Sequence, residues 1–97
     1  MLNSKQINYL KSFANSLDSK YKIGKNEITH NTIVLLDNAL KKHELIKVSL
    51  NNTISDDKHQ IALSLSEQLH CEVIQIVGNI ITLFRKNLKD SNFHLPN

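Results

Sequence analysis

The sequence feature that most constrains the fold is a strand–helix–strand pattern across residues 20–50. Polar and apolar residues alternate over 20–23 and again over 45–50, as they do in half-buried strands. Between these segments, residues 30–42 carry apolar side chains three and four positions apart, which indicates a helix with one buried face. A helix that joins two neighbouring strands implies a parallel pair and a right-handed crossover. The stretch therefore predicts an α/β fold.

Two more helices are predicted on either side of this unit. The first spans residues 5–17 and follows Ser4, whose hydroxyl is a good N-cap. The third spans residues 56–69 and follows Ser55, which is suited to the same role. Both segments carry one apolar stripe at helical spacing, so each helix should bury one face. The sequence leaves open whether all three helices cover the same face of the sheet.

The last part of the chain predicts two strands and a tail. Runs rich in valine and isoleucine span residues 71–77 and 80–85, and Gly78-Asn79 between them fits a two-residue hairpin turn. The complete order is α-β-α-β-α-β-β, which predicts one mixed four-stranded sheet with three helices. Residues 86–97 form a polar tail that is expected to pack loosely.

Length and composition predict a single domain, residues 1–97, located in the cytoplasm. No apolar run approaches the ~20 residues that a membrane-spanning helix needs. Residues 1–5 lack the apolar core of a signal peptide. Cys71 is the single cysteine, so no disulfide can form within the chain, which fits a reducing compartment.

The distribution of charge says more than the formal net charge of +3. Residues 1–50 contain eight lysines and four acidic residues, whereas residues 51–84 contain one lysine and four acidic residues. Residues 85–97 are basic again. Segregated positive charge is expected where a protein meets a polyanion, although a solvated lysine surface would give the same count.

The segment between the first strand and the second helix is the leading candidate for contact with phosphate. Thr29 is the predicted N-cap of the helix, whose first-turn N–H groups and dipole favour an anion. Lysines precede and enter the loop, and their charge would attract the same group. The candidate RNA-binding residues here are Lys20, Lys22, Gly24, Lys25, Asn26 and Thr29.

Five further basic residues are candidates for a second contact. Lys41 and Lys42 end the second helix, where they could equally serve to offset the helix dipole. Lys47 lies on the less apolar face of its strand and is exposed if that face is open. Arg85 and Lys86 close the last strand, where guanidinium could hold a phosphate or simply be solvated.

Metal, cofactor and enzyme functions find no support in the sequence. The five histidines and Cys71 do not form the closely spaced pairs typical of zinc sites. There is no phosphate-binding loop of the nucleotide-hydrolase type and no nucleophile elbow. We therefore expect no catalytic residues, no cofactor and no small-molecule substrate. Cys71 opens an apolar strand and is expected to be a buried structural thiol, and Phe84 is expected to lie in the core.

Short segments along nearly the whole chain occur in the order and spacing of a known family. They are Ser4-Lys5-Gln6, Ile23-Gly24-Lys25-Asn26, His43-Glu44-Leu45-Ile46-Lys47-Val48, Gln75-Ile76-Val77-Gly78, Leu83-Phe84-Arg85 and Leu95-Pro96. On these segments the chain resembles the YhbY-like, or CRM-domain, family of small RNA-binding proteins. The resemblance implies a fold similar to the C-terminal domain of bacterial translation initiation factor three. It also implies binding to structured RNA and association with the precursor of the large ribosomal subunit.

The loop departs from the family pattern at one position. Family members carry a GxxG loop, analogous to the loop that clamps the RNA backbone in KH domains. Here the loop reads Gly24-Lys25-Asn26-Glu27, so Glu27 replaces the second glycine. Glutamate lacks the conformational freedom of glycine and adds negative charge beside an expected phosphate. The resemblance then implies a contact that is weaker or shifted toward Gly24, Lys25 and Asn26.

Three functions follow from the sequence. The first is an RNA-binding protein that contacts rRNA of the large subunit as a ribosome assembly factor. The second is a protein–protein adaptor that uses the acidic region 56–72 or a face of the sheet, and ribosomal or assembly proteins are its expected partners. The third is a degenerate family member whose RNA binding is weakened by Glu27.

Overall fold

Seven regular elements follow one another in the predicted order. The computed structural model describes residues 2–23, 28–51, 58–88, 91 and 93–96. The elements are α1 (Ser4–Ala14), β1 (Tyr21–Ile23), α2 (His30–His43), β2 (Leu45–Leu50), α3 (Lys58–Leu69), β3 (Glu72–Val77) and β4 (Ile80–Phe84). This order confirms the predicted α/β architecture. The loop residues 24–27 and the predicted cap Ser55 lie outside the described residues.

The four strands form one mixed sheet in the order β1-β2-β4-β3. β1 and β2 are parallel, with Tyr21 opposite Val48, which confirms the strand–helix–strand prediction. β4 pairs antiparallel with both β2 and β3. The turn between β3 and β4 contains Gly78 at φ +57°, a left-handed conformation that glycine adopts without strain. β1 and β3 are therefore the edges of the sheet.

Helices cover both faces of the sheet, which answers the question that the sequence left open. α2 and α3 pack on one face in a large apolar cluster whose centre includes Leu40, Leu65 and Val48. α1 packs on the opposite face, where Leu10 and Ala14 meet strand residues in a smaller cluster. The strand residues of that smaller cluster are Leu45, Ile74 and Phe84. Phe84 is buried there, as predicted.

The ends of two helices differ from the sequence predictions. Asn3 rather than Ser4 is the N-cap of α1, because its side chain and that of Gln6 each bond the other's backbone N–H in a capping box. The helix ends at Ala14, three residues earlier than predicted, and Asn15 is its C-cap. α2 ends at His43, one residue later than predicted, and its C-cap is Glu44 at φ +65°.

The C-terminal tail packs against the domain, so the prediction of loose packing is wrong for residues 91 and 93–96. Phe93 and Leu95 are apolar and extend the cluster beneath α1. Gln6 Nε2 donates a hydrogen bond to the carbonyl oxygen of Pro96 at 3.0 Å. The Ser91 hydroxyl donates to Glu44 Oε2 at 2.6 Å. Two apolar side chains and these hydrogen bonds together attach a mostly polar segment to the domain.

Candidate nucleic-acid interface

α1 covers only one end of its face of the sheet. Beneath it lie Leu45 on β2 and Phe84 on β4, which are opposite one another. Side chains two positions along each strand return to the same face of a sheet. This places Lys47 opposite Thr82, and then Ser49 opposite Ile80, beyond the residues that α1 contacts in its apolar cluster. The face is therefore apolar under the helix and more polar beyond it.

Beyond the apolar cluster under α1, this face consists of two rows of residues that run across the strands. The first row is Lys47, Thr82 and Gln75, and the second is Lys22, Ser49, Ile80 and Val77. We call these seven residues the open strip. Lys22 and Val77 are exposed, Thr82 is buried, and the other four are partly exposed. The strip begins with lysine at the β1 side and ends with neutral residues at the β3 side.

Three lysines meet at the β1 side of the open strip. Lys20 and Lys22 are exposed residues directly before and within the edge strand β1. Their alternation with Tyr21 and Ile23, which pack in the α2–α3 cluster, directs both lysines to the α1 side of the sheet. Lys47 lies on the adjacent strand, and its Nζ donates to the carbonyl oxygen of Leu17 at 3.2 Å. The structure thus groups Lys20, Lys22 and Lys47, which the sequence listed separately.

The start of α2 lies at the far end of β1, after the loop. The side chain of Thr29 accepts a hydrogen bond from the backbone N–H of Thr32 at 3.3 Å, which confirms Thr29 as the N-cap. Gly24, Lys25 and Asn26 lie outside the described residues, so their contribution stays a prediction. Of the described residues that flank the loop, Ile23 ends β1 one position after Lys22, and Ile28 precedes the N-cap Thr29.

Arg85 and Lys41 belong to an ion-pair cluster on the other layer of the molecule. Arg85 Nη1 donates to Asp37 Oδ1 at 2.8 Å and to the carbonyl oxygen of Leu69 at 2.7 Å. Lys41 Nζ lies 3.2 Å from Asp37 Oδ2. Hydrogen bonds from Arg85 and then from Lys41 lower the pKa of the Asp37 carboxyl below its ordinary value. Arg85 is therefore largely engaged within the protein, whereas the Lys41 side chain is paired with Asp37 but still 67% exposed.

Lys42 and Lys86 are exposed near this cluster, apart from the three grouped lysines. Asn87, next to Lys86, donates from its side chain to the carbonyl oxygen of Lys41 at 3.0 Å. The end of β4 therefore meets the end of α2. The eleven predicted residues therefore fall into three groups. The first is Lys20, Lys22 and Lys47, the second is the loop with Thr29, and the third lies around the C-terminal end of α2.

Sequence reasoning gave no role to Glu44, which the structure shows to be a central anchor. Its side chain is buried, and its Oε2 atom accepts from the backbone N–H of Asn87 at 3.0 Å and from Ser91. Its carbonyl oxygen also accepts from the backbone N–H of Arg85 at 2.8 Å. The sequence around a glutamate directly after a helix does little to predict that its side chain is buried, because the hydrogen-bond partners of Glu44 lie more than 40 residues away.

The remaining polar chemistry of the described residues is structural. Burial raises the pKa of the Cys71 thiol to about 11, so this group is protonated and unreactive at neutral pH. Within residues 2–23, 28–51 and 58–88 and the described tail, no three His, Cys, Asp or Glu side chains are arranged to hold a metal ion. None of the helices seen in those ranges has the length and apolar character to cross a membrane.

The fold and the grouped lysines define a small α/β domain with one basic, partly open sheet face. The pattern of the CRS1 / YhbY (CRM) domain matches residues 2–85 of the chain. The protein therefore belongs to the CRS1/YhbY (CRM) domain family, which confirms the resemblance found in the sequence.

Named relatives match over nearly all of the chain. "Probable RNA-binding protein YqeI" of Bacillus subtilis is 32% identical over 96 residues, which are 99% of this chain and 100% of that protein. An "RNA-binding protein" of Haemophilus influenzae is 30% identical over 95 residues, 98% of this chain and 95% of the relative. The solution structure of SAV1595 from Staphylococcus aureus, titled as a candidate RNA-binding protein, superposes with a TM-score of 0.84 at 38% identity. That match covers 99% of this chain and 100% of the other.

Proposed function

We propose that this protein binds structured RNA through the open strip, as an assembly factor for the large ribosomal subunit. The observation that carries the proposal is the grouping of Lys20, Lys22 and Lys47 at one side of a sheet face that α1 leaves uncovered. Relatives that match the full chain are named as RNA-binding proteins, which supports RNA as the partner. No catalytic or metal chemistry is needed for this function.

Lys20, Lys22 and Lys47 would hold the RNA backbone by neutralising its phosphates. Residues in a strand are about 3.3 Å apart, so Lys20 and Lys22 lie roughly 7 Å from each other along β1. This spacing is close to that between successive phosphates of an extended nucleic-acid strand. The RNA backbone would therefore follow β1 from the loop toward Lys20 and contact Lys47 beside it. Recognition of this kind reads shape and charge more than base sequence.

The loop and the start of α2 would supply a further phosphate contact at the end of this path. The N–H groups of a helix's first turn have no helical partner and carry partial positive charge. Gly24, Lys25 and Asn26 precede that turn, and Glu27 is the residue that opposes it electrostatically. Lys42 and Lys86, which are exposed near the end of α2, would form a separate contact with a large RNA. Arg85 and Lys41 would contribute less, because Asp37 engages them.

The test is RNA binding by the purified protein over a series of salt concentrations. Lys22→Gln should weaken binding to a large-subunit rRNA fragment and reduce the log–log salt slope by roughly one. Lys5→Gln is the matched control, because it removes the same charge from an exposed position. Lys5 lies at the start of α1, beside Gln6, which the tail contacts. Equal effects of the two substitutions would show that only net charge matters. A wild-type protein that does not bind at low salt would overturn the RNA proposal.

The role of Glu27 is tested by restoring the glycine of the family pattern. Glu27→Gly should strengthen RNA binding if the loop contacts phosphate, since it removes a negative charge and adds backbone freedom. Glu27→Gln removes the charge alone and so separates the two effects. Unchanged binding in both variants would move the contact away from the loop.

The large ribosomal subunit as the target rests on the family likeness and needs its own experiment. In a lysate separated on a sucrose gradient, the protein should sediment with precursors of the large subunit and not with the small subunit. High salt should release it, because the contact is mainly with phosphate. Sedimentation with neither subunit would leave RNA binding intact and overturn the ribosomal target.

A protein-binding role has one supporting observation of its own. Leu35 on α2 and Leu63 on α3 each expose about half of their surface, 53% and 52%. Exposed leucines on the layer opposite the open strip would suit an assembly or ribosomal protein. Binding through them should be nearly insensitive to salt and should weaken in Leu63→Ser. The two roles are compatible, since they use opposite layers of the molecule.

A further inference from the structure

A cleft of about 340 Å³ opens between the C-terminal end of α1 and the first residues of β1 and β2. Its walls combine aromatic, aliphatic and charged side chains, among them Phe13, Leu17, Asp18, Lys20, Lys47 and Phe93. Pockets of roughly 300 Å³ and above are large enough to bury a small organic group. Thr29 and the first turn of α2 are not among the residues that line the cleft.

We propose that this cleft takes one unpaired nucleotide of the bound RNA, with its base on Phe13 and its phosphate on Lys20 and Lys47. The inference rests on the proposed RNA-binding function. It adds a binding site for a base that is not paired within the RNA helix. Its basis is the meeting of an exposed aromatic ring with two lysines at one end of the open strip.

The Phe13 ring is exposed yet held in place. Its side chain is 42% exposed, which is unusual for phenylalanine and is not explained by packing in the core. Tyr9 meets it edge to face at a centroid distance of 5.0 Å, and Phe93 does so at 5.4 Å. Phe93 in turn contacts the buried Phe84 at 5.6 Å. A ring fixed in this way offers a base a rigid stacking surface at little entropic cost.

The charges around the ring favour a nucleotide over an uncharged apolar ligand. Lys47 belongs to both the open strip and the cleft lining, and its Nζ donates to the carbonyl oxygen of Leu17, another lining residue. Lys20 lines the cleft and precedes β1, along which the RNA backbone is proposed to run. A phosphate between these two lysines would place the attached base over the apolar wall.

Asp18 gives the cleft a means to distinguish bases. A carboxylate accepts hydrogen bonds and cannot donate them, so it suits the exocyclic amino group of cytosine, adenine or guanine. Uracil has no amino group, and its N3–H donor lies between two carbonyl oxygens that would repel the carboxylate, so it should be the least favoured base in the cleft. An apolar side chain of a protein partner would form no hydrogen bond or ion pair with Asp18, Lys20 or Lys47.

The test compares two RNA hairpins closed by the same loop, one with a fully paired stem (the paired hairpin) and one with a single additional unpaired adenosine in its stem. The wild-type protein should bind the second more tightly, and Phe13→Ala should lower that affinity about tenfold while leaving the paired hairpin unaffected. Phe13→Tyr keeps the ring and should retain the preference. Val34→Ala is the matched control, since it shortens a similarly exposed apolar side chain on the other layer.

The possible results separate this inference from the function on which it rests. Equal binding of both hairpins by the wild-type protein, unchanged in Phe13→Ala, would overturn the cleft and leave RNA binding standing. Binding of neither hairpin would overturn both. Loss of affinity for the paired hairpin as well, in a folded Phe13→Ala protein, would also contradict the cleft.

A crosslinking experiment on the wild-type protein tests the same contact without a substitution. A photoreactive halogenated base at the unpaired position should attach to the tryptic peptide 12–20, in which Phe13 is the single aromatic residue. The same base within the paired stem should not label this peptide. Attachment at other peptides alone would overturn the assignment even if Phe13→Ala failed to fold.

Discussion

Arg85 and Asp37 join the end of β4 to the middle of α2 across 48 positions of sequence. The guanidinium donates from Nη1 to Asp37 Oδ1 at 2.8 Å and from Nη2 to the Asp37 carbonyl oxygen at 3.0 Å. A third bond, to the carbonyl oxygen of Leu69, ties in the last residue of α3. One partly buried side chain, 21% exposed, therefore holds three elements of the α2–α3 layer together.

The first prediction concerns the stability that this arrangement provides. Arg85→Ala should lower the free energy of unfolding by about 2 kcal/mol, because it removes three hydrogen bonds and takes one cationic partner from the Asp37 carboxylate. Arg85→Lys should recover only part of the loss, since an ammonium cannot reproduce the planar fork. Urea denaturation followed by circular dichroism measures both. Lys86→Ala, at the exposed neighbouring position, should change stability little.

Weakened RNA binding in folded Arg85→Ala, together with unchanged stability, would contradict this role. It would show that Arg85 acts mainly on the ligand and that its contacts with Asp37 contribute little. The same result would return Arg85 to the RNA-binding residues that the sequence suggested.

The second prediction follows from the pKa of Asp37, which Arg85 and Lys41 lower from its ordinary value of 3.8. Because the folded pKa lies below the unfolded one, the stabilising effect is complete above about pH 4 and is lost as pH falls through the folded value. Wild type should therefore be more stable than Asp37→Asn at neutral pH, and the difference should shrink below pH 4. Thermal melts from pH 2 to pH 7 measure this difference. A constant difference across that range would mean that the carboxylate charge is not involved.

The sequence predicted the order of elements, the parallel pair and the hairpin because these depend on local patterns. Alternation over residues 45–50 and the glycine of the hairpin turn are signals that a few neighbouring residues carry. The family resemblance was equally accessible, because short segments in a fixed order identify it. Likeness to the C-terminal domain of translation initiation factor three stays a prediction.

The sequence could not show what depends on distant partners. The grouping of Lys47 with Lys20 and Lys22 requires the register of β1 on β2, and the exposure of Phe13 requires the place where α1 ends. The tail was judged by its polar composition, yet Phe93 reaches the cluster under α1. Glu44 illustrates the same limit, since its buried carboxylate accepts hydrogen bonds from residues 87 and 91, which are distant in sequence.

The third prediction addresses the anchoring of the tail by Glu44. Glu44→Gln should destabilise the protein by about 1–2 kcal/mol, because a neutral amide is a weaker acceptor for the Asn87 N–H and the Ser91 hydroxyl. It should also release the C-terminal tail, which makes residues after Lys86 more sensitive to limited proteolysis. Glu67→Gln is the control, since Glu67 is exposed on α3. Unchanged proteolysis of the tail would show that Phe93 and Leu95 hold it unaided.

The fourth prediction concerns Thr82, in the middle of the open strip. Its side chain is 1% exposed, and its Oγ1 atom has no hydrogen-bond partner among the described residues. A buried hydroxyl without a partner costs free energy, and valine has nearly the same shape without the polar atom. Thr82→Val should therefore raise the free energy of unfolding by about 1 kcal/mol, as measured by urea denaturation.

Thr82→Ser provides the comparison, because it keeps the hydroxyl and removes the methyl group. Serine should destabilise the protein by about 1 kcal/mol through lost packing against the strip residues on either side. Since the hydroxyl is buried, neither variant should change the salt slope of RNA binding at Lys22 and Lys47. A Thr82→Val protein less stable than wild type would show that the hydroxyl has a partner, such as a buried water molecule, and that the middle of the strip is more polar than its packing indicates.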